Sequence, residues 1–188
     1  VGKTKVPSAV LNKRGRLTEE EYEEIKLHVD YGYRISKEAP WVDGGVSQII
    51  YQHHERYDGS GYPCAKKNKE VFFDAYICGV ADVFDALTSD RVYRSAYPIH
   101  EAYEMILGSG NSLFDYRAVT AFLKNIAPYP IGTWVELSNY LRGVVVAVNK
   151  NTPILPRVRV FYVNNEPVKP FEIELSDTNK VTIAKIID

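Results

Sequence analysis

The sequence predicts a mainly α fold, a helical bundle followed by a small antiparallel β-sheet or barrel module. Apolar residues recur at helical spacing through the first two thirds of the chain. The grammar then changes at residues 128–132, Pro-Tyr-Pro-Ile-Gly. Beyond that point, period-two or continuous β-branched runs alternate with turns rich in Asn, Pro and Asp. The change divides the chain into residues 1–127 and 128–188.

The bundle should hold about five helices. Leu17, Thr18, Glu19, Glu20 and Glu21 form a start signal. Thr18 can cap, Glu21 stands three residues on, and acids fill the first turn. Tyr22, Ile25, Leu27, Val29 and Ile35 carry this helix to about residue 36, and Pro40 breaks it. A second helix covers about 44–54, with Val46, Ile49 and Ile50 inward. A third covers 73–89 and is apolar nearly all round at 76–81, which suits the centre of the bundle. A fourth (99–107) and a fifth (116–125) are separated by Gly108 and Gly110. Strands are expected at 134–137, 143–148, 158–163, 171–175 and 181–187. Trp134, Tyr140, Phe161, Tyr162 and Phe171 should fill the core of so small a module. It reads as a stabilising cap, with a partner-binding domain as the other option.

Composition narrows the function classes. At 188 residues, 45% hydrophobic and 25% charged, the chain can bury a proper core. A net charge of -1 implies no global attraction to nucleic acid or anionic lipid. A phosphate-bearing ligand must then be recognised by local charge or by metal. Cys64 and Cys78 suggest no disulfide framework, and a reducing cytoplasm fits them. Cys78 lies in an apolar run and is expected as a buried thiol. No apolar run is long enough to span a membrane, and no leader pattern opens the chain. The chain starts at Val1 with Met105 as its single methionine, and it reads as a segment of something longer.

The chemistry concentrates in two stretches. The first is His53-His54-Glu55-Arg56-Tyr57-Asp58-Gly59-Ser60-Gly61-Tyr62-Pro63. Adjacent histidines on a helix point about 100° apart. They do not easily grip one ion together, but they can reach two ions that share a bridge. His28 lies mid-helix upstream; a lone helical histidine is more often an ordinary hydrogen-bonded group. The second stretch is Ala81-Asp82-Val83-Phe84-Asp85-Ala86-Leu87-Thr88-Ser89-Asp90-Arg91. Asp82 follows apolar residues and should face inward, where a carboxylate needs a metal or a cation such as Arg91 or Arg94. Asp85 and Asp90 read as structural hydrogen-bonding groups. His100 reads as a surface group.

Together these stretches resemble the HD-GYP phosphodiesterases nearly letter for letter. Val1-Gly2-Lys3-Thr4-Lys5-Val6-Pro7 is similar to the segment that follows that family's His-Asp dyad. Leu17 to His28 resembles the helix carrying the next histidine, and Phe114-Asp115 with Ala121-Phe122-Leu123 resembles the closing helices. The similarity covers about residues 1–127 and implies an HD-type helical bundle. It also implies that His28, His53, His54 and Asp82 are metal ligands. By the same resemblance Lys3 is catalytic and lies by the substrate phosphate, Arg91 and Arg94 line the nucleotide pocket, and Gly61, Tyr62 and Pro63 belong to the signature loop. Val92 stands where the family usually has proline. Cys64-Ala65-Lys66-Lys67-Asn68-Lys69 replaces a glycine-containing turn, as a phosphate-attracting patch or a solvated charge run. The dyad would stand just before Val1, so this segment alone is expected to be impaired.

The resemblance implies metal-dependent hydrolysis of cyclic di-GMP to pGpG or GMP. The centre would be di- or trinuclear, with iron or manganese suited to mixed imidazole and carboxylate ligands, and zinc or nickel able to bind in vitro. Other readings stay open. One is an inactive cyclic di-GMP receptor, or a scaffold docking diguanylate cyclase (GGDEF) domains through the Gly-Tyr-Pro loop. Another is a hydrolase of a different cyclic dinucleotide, such as cyclic GMP-AMP. Family members are commonly fused to sensor or receiver domains, and a homodimer is an open option.

Overall fold

The computed structural model describes residues 1–90 and 95–187. After a 3₁₀ turn over Gly2–Lys5, α1 (Ser8–Leu11) leads to α2 (Glu19–Lys26). Thr18 opens α2 with the predicted capping box. Its hydroxyl accepts from the Glu21 N–H, and the Glu21 carboxylate accepts from the Thr18 N–H at 2.7 Å. Lys13 pairs with the same carboxylate and ties the incoming chain to the helix start.

The single helix expected to residue 36 is two helices, α2 and α3 (His28–Glu38). His28 supplies the reason. Its Nδ1–H donates to the Ile25 carbonyl at 2.7 Å, and the Leu27 N–H takes the same carbonyl. A regular helix would offer that carbonyl to Val29, so the ladder is interrupted. Tyr22 and Leu27, read as members of the apolar periodicity, are exposed.

Asp43 caps α4 (Gly44–Gln52) by accepting from the Gly45 N–H at 2.7 Å. Val46, expected inward, is exposed, whereas Ser47 and Gln52 are buried. Gln52 turns in because its Oε1 accepts from the Phe72 N–H at 2.8 Å, which anchors the start of α5 (Phe73–Thr88). α5 packs on α4 and on α6 (Ile99–Gly108), and α7 (Tyr116–Leu123) follows. Val29, Tyr76, Val80, Ile106, Phe114 and Val119 are fully buried between them. Cys78 is not the buried thiol expected from its apolar run; it is exposed. It faces a cavity rather than the core, although the surrounding protein still pushes its thiol pKa up.

By contacts the chain divides into Val1–Phe122 and Leu123–Asp188. The second unit is one antiparallel sheet with strand order β4-β3-β2-β1-β5. Its strands are β1 (Trp134–Leu137), β2 (Leu141–Ala147), β3 (Arg157–Val163), β4 (Glu166–Glu174) and β5 (Ile183–Ile186). β4 starts well before the predicted residue 171. Asn164 and Asn165 both have positive φ, a two-residue hairpin turn, so pairing resumes at once. Pro167 and Pro170 are tolerated because β4 is an edge strand.

The aromatic core expected here is absent. Val135, Leu137, Val145, Val158, Val160 and Leu175 form the core with Tyr129. Trp134, Tyr140, Tyr162 and Phe171 are exposed. Strand alternation explains Trp134: with Val135 and Leu137 inward, it must point out, where its ring meets Phe161 at 5.6 Å. That outer face carries ion pairs, including Arg142 with Glu136 and Arg159 with Glu172 at 2.7 Å. The mainly α bundle followed by an antiparallel sheet is the predicted fold class. Among the described residues, no helix is long and apolar enough to cross a membrane.

Candidate metal centre

Two of the helix ends in the first unit fall beside histidines, α2 before His28 and α4 before His53. At the end of α4, His53 repeats the device of His28: its Nδ1–H donates to the Ile50 carbonyl at 2.8 Å. A carbonyl only accepts, so Nδ1 carries the proton in both rings and each neutral ring keeps its Nε2 lone pair free. Those two Nε2 atoms face each other at 3.5 Å. Two lone pairs converging at that distance suit a shared cation. His54 completes a group whose ligating atoms all lie within 4.8 Å of one another. Backbone carbonyls holding the far nitrogens are the usual support for metal-ligating imidazoles.

The surroundings keep these rings neutral. Burial lowers the pKa of His28 and of His53. For His54 burial is again the largest cause, helped by the two neighbouring imidazoles, Arg56 and Lys3, and its pKa falls to about 2. Neutral imidazole is the form a metal needs. The donor set therefore fits a metal ion, by its geometry and by its protonation.

Backbone packing sets the elements around the three rings. Gly79 of α5 lies against the end of α4: a β-carbon there would stand 2.5 Å from the His53 carbonyl oxygen. One turn further along α5 is Asp82, half-buried and close enough to act electrostatically on His28 and His53. Its carboxylate is outside the group that closes within 4.8 Å, so three of the four ligands named by sequence come together and the fourth stands at their edge. Buried Gly2 packs on the His28 backbone and brings Lys3 to the same side. Lys3, His28, Ile50, His53 and Cys78 line a cavity of about 260 Å³. A larger cavity of about 390 Å³, lined in part by Gln52, Asn68, Phe73 and Arg117, contains none of the three histidines.

The signature loop folds back on His54. Tyr62 donates its N–H to the His54 carbonyl and stacks its ring on the imidazole at 4.6 Å, 22° from parallel. A β-carbon at Gly61 would lie 2.4 Å from both the Arg56 nitrogen and the His54 carbonyl oxygen, so the approach requires glycine. Pro63 follows, half-buried, through a cis Tyr62–Pro63 peptide. Burial pushes the Tyr62 hydroxyl pKa up, so it stays protonated.

Two residues of this region carried no assigned role in the sequence. Glu55 is 1% exposed, and its two carboxylate oxygens accept from the Cys64 N–H at 2.8 Å and the Lys66 N–H at 3.0 Å. It ties down the far side of the loop. Arg56 lies over the Phe114 ring at 4.8 Å and donates to the Glu55 carbonyl at 3.1 Å. No spacing rule reveals either role, because their partners are backbone atoms and an aromatic face far along the chain.

The remaining sequence expectations fall outside the cluster. Asp90 accepts from the Ala96 N–H at 2.9 Å, a structural bond. His100 is half-buried on α6 and is not in the group. Lys67 and Lys69 are exposed. Arg91, Val92 and Arg94 lie outside the described residues.

Residues 1–117 match a family model described as HD domain. The chain belongs to the HD domain family. The HD-GYP resemblance of its motifs is borne out by relatives. A cyclic di-GMP phosphodiesterase of Pseudomonas aeruginosa is 35% identical over 162 residues, covering 86% of this chain and 39% of that protein. That stretch is longer than the bundle, so the similarity to it runs on into the sheet unit. A cyclic di-GMP phosphodiesterase of Thermotoga maritima is 40% identical over 126 residues, 66% of this chain and 34% of that protein. A 3'3'-cGAMP-specific phosphodiesterase of Vibrio cholerae is 30% identical over 126 residues, 66% of this chain and 24% of that protein. The chain thus spans well under half the length of each relative, and in this HD domain it is the histidine cluster that carries the functional argument.

Proposed function

We propose that this chain is the metal-binding part of a cyclic di-GMP phosphodiesterase that yields pGpG or GMP. The observation that carries this is the convergence of His28, His53 and His54, with Nδ1 of the first two tied to carbonyls and neutral Nε2 atoms turned inward. The names of the relatives supply the substrate class.

His28, His53 and His54 would hold the metal, with Asp82 as the carboxylate at its edge. A bound divalent ion supplies charge for the phosphodiester oxygens and a water of lowered pKa. Iron or manganese suits this mixed donor set. Lys3 brings a further positive charge to the cavity wall, where it neutralises the phosphate or protonates the leaving oxygen. Arg91 and Arg94 would add charge to the nucleotide pocket. Tyr62, stacked on His54, orients that ring. This inward packing of Gly61, Tyr62 and Pro63 favours a pocket-shaping role for the loop over docking of GGDEF domains. Two free cysteines suit a cytoplasmic setting.

The test is hydrolysis of cyclic di-GMP by the full-length protein loaded with manganese or iron. Release of pGpG or GMP is expected. Tight binding of cyclic di-GMP with no product under any metal would favour the receptor reading instead.

A further inference from the structure

A file of rings leads from the metal cluster to solvent. The His28 and His54 centroids are 5.0 Å apart, His54 stacks on Tyr62 at 4.6 Å, and Tyr62 meets Tyr22 edge-on at 6.5 Å. Exposure rises along it. His28 is buried, His54 and Tyr62 are half-buried, and Tyr22 is 47% exposed. Tyr22 projects from α2, the helix that ends just before His28. The Lys26 ammonium lies 5.1 Å from the Tyr22 centroid and 5.7 Å from that of Tyr62, and Glu23 holds it there at 2.5 Å.

Tyr62 has one face taken by His54. Tyr22 is the ring of the file with the most open area. It is also held in place, since Tyr62 and Lys26 brace it, so little freedom is left to lose when a flat ligand settles on it. Among the described residues, the exposed Trp41 has no such chain of ring contacts to the histidines. A cyclic dinucleotide presents phosphates to a metal and flat purines to whatever lines the approach.

We propose that Tyr22, braced by Tyr62 and Lys26, is a nucleobase-stacking subsite that seats one purine of the substrate while the phosphate reaches the histidine cluster. This rests on the phosphodiester-hydrolase reading above. Aromatic stacking accepts any purine, because every base has a π-face. The subsite therefore sets affinity and does not separate guanine from adenine. The Lys26 ammonium stands over one face of Tyr22, so the base takes the other.

The experiment is steady-state hydrolysis of cyclic di-GMP and cyclic GMP-AMP by the metal-loaded full-length protein, as parent, Y22A and Y22F, with metal content measured on each. Y22A should raise KM by about fivefold or more for every dinucleotide the parent cleaves. It should leave metal content at the parent value and affect kcat much less than KM. Y22F keeps the ring and should restore the parental KM. An unchanged KM in Y22A overturns the subsite, and so does a loss of metal, which would place Tyr22 in support of the histidines. A parent that cleaves neither dinucleotide overturns the hydrolase reading and the subsite with it, whereas the other failures appear only in the variants.

Discussion

His28 and His53 each donate Nδ1–H to a carbonyl three residues back, and that one bond fixes tautomer, ring direction and helix end together. Burial then lowers the pKa of all three rings. The consequence for metal-free protein has a definite sign. In the unfolded chain these rings take protons as pH falls through about 6.5; in the folded chain they resist. The unfolded state then binds more protons, so stability falls below about pH 6.5 and levels off above it. Denaturant midpoints at about pH 5 and pH 7 should show the lower value at the acid end, with a smaller difference in H54F. Equal midpoints in the parent would contradict buried neutral rings. Glu55 makes a second prediction. E55A leaves the Cys64 and Lys66 N–H groups without their acceptor, at a cost of about 1–3 kcal/mol if they stay buried. Hydrogen exchange at those two amides should rise first, and E55Q, which keeps one acceptor oxygen, should fall between.

The elements divide into those with local signals and those without. Thr18 and Glu21 are local chemistry, and the helix start they predict is where the structure has it; the helices expected from residues 44 and 73 also begin there. The break at Leu27 was not legible, because it depends on which way the His28 side chain turns. Nor was the burial of Gln52, which waits on the Phe72 N–H twenty residues away. In the sheet, Trp134 and Phe171 read as core by their bulk, yet alternation already filled the inside with valine and leucine. The site was legible as a set of residue types, and its support was not, because Gly79 and Glu55 act on backbone. Gly79 is the sharpest test of that support. In an open helix Gly→Ala gains about 0.5–1 kcal/mol. Here the new β-carbon meets the His53 carbonyl oxygen at 2.5 Å, backbone that cannot step aside, so G79A should instead destabilise by about 1–3 kcal/mol. A more stable G79A by thermal melting would mean that α4 and α5 do not approach as described.

On the scale of the whole molecule, a bundle presenting ligand nitrogens is followed in sequence by a sheet unit with its own core of Val135, Leu137, Val145, Val158 and Val160. Metal should therefore act on the bundle. A ligand present at a hundred times its Kd adds about 2.7 kcal/mol to the stability of the state it binds. Manganese should raise the melting transition of the bundle, a chelator should reverse the gain, and reporters in the sheet such as Trp134 should respond less. Everything functional proposed for this chain depends on whether the three imidazoles hold metal. The direct measurement is elemental analysis of the purified full-length protein beside its H28A, H53A and H54A variants, each checked for folding. Stoichiometric iron or manganese in the parent, depleted in every folded variant, is the predicted result. Equal metal in parent and variants, or none in a parent supplied with both ions, would contradict it.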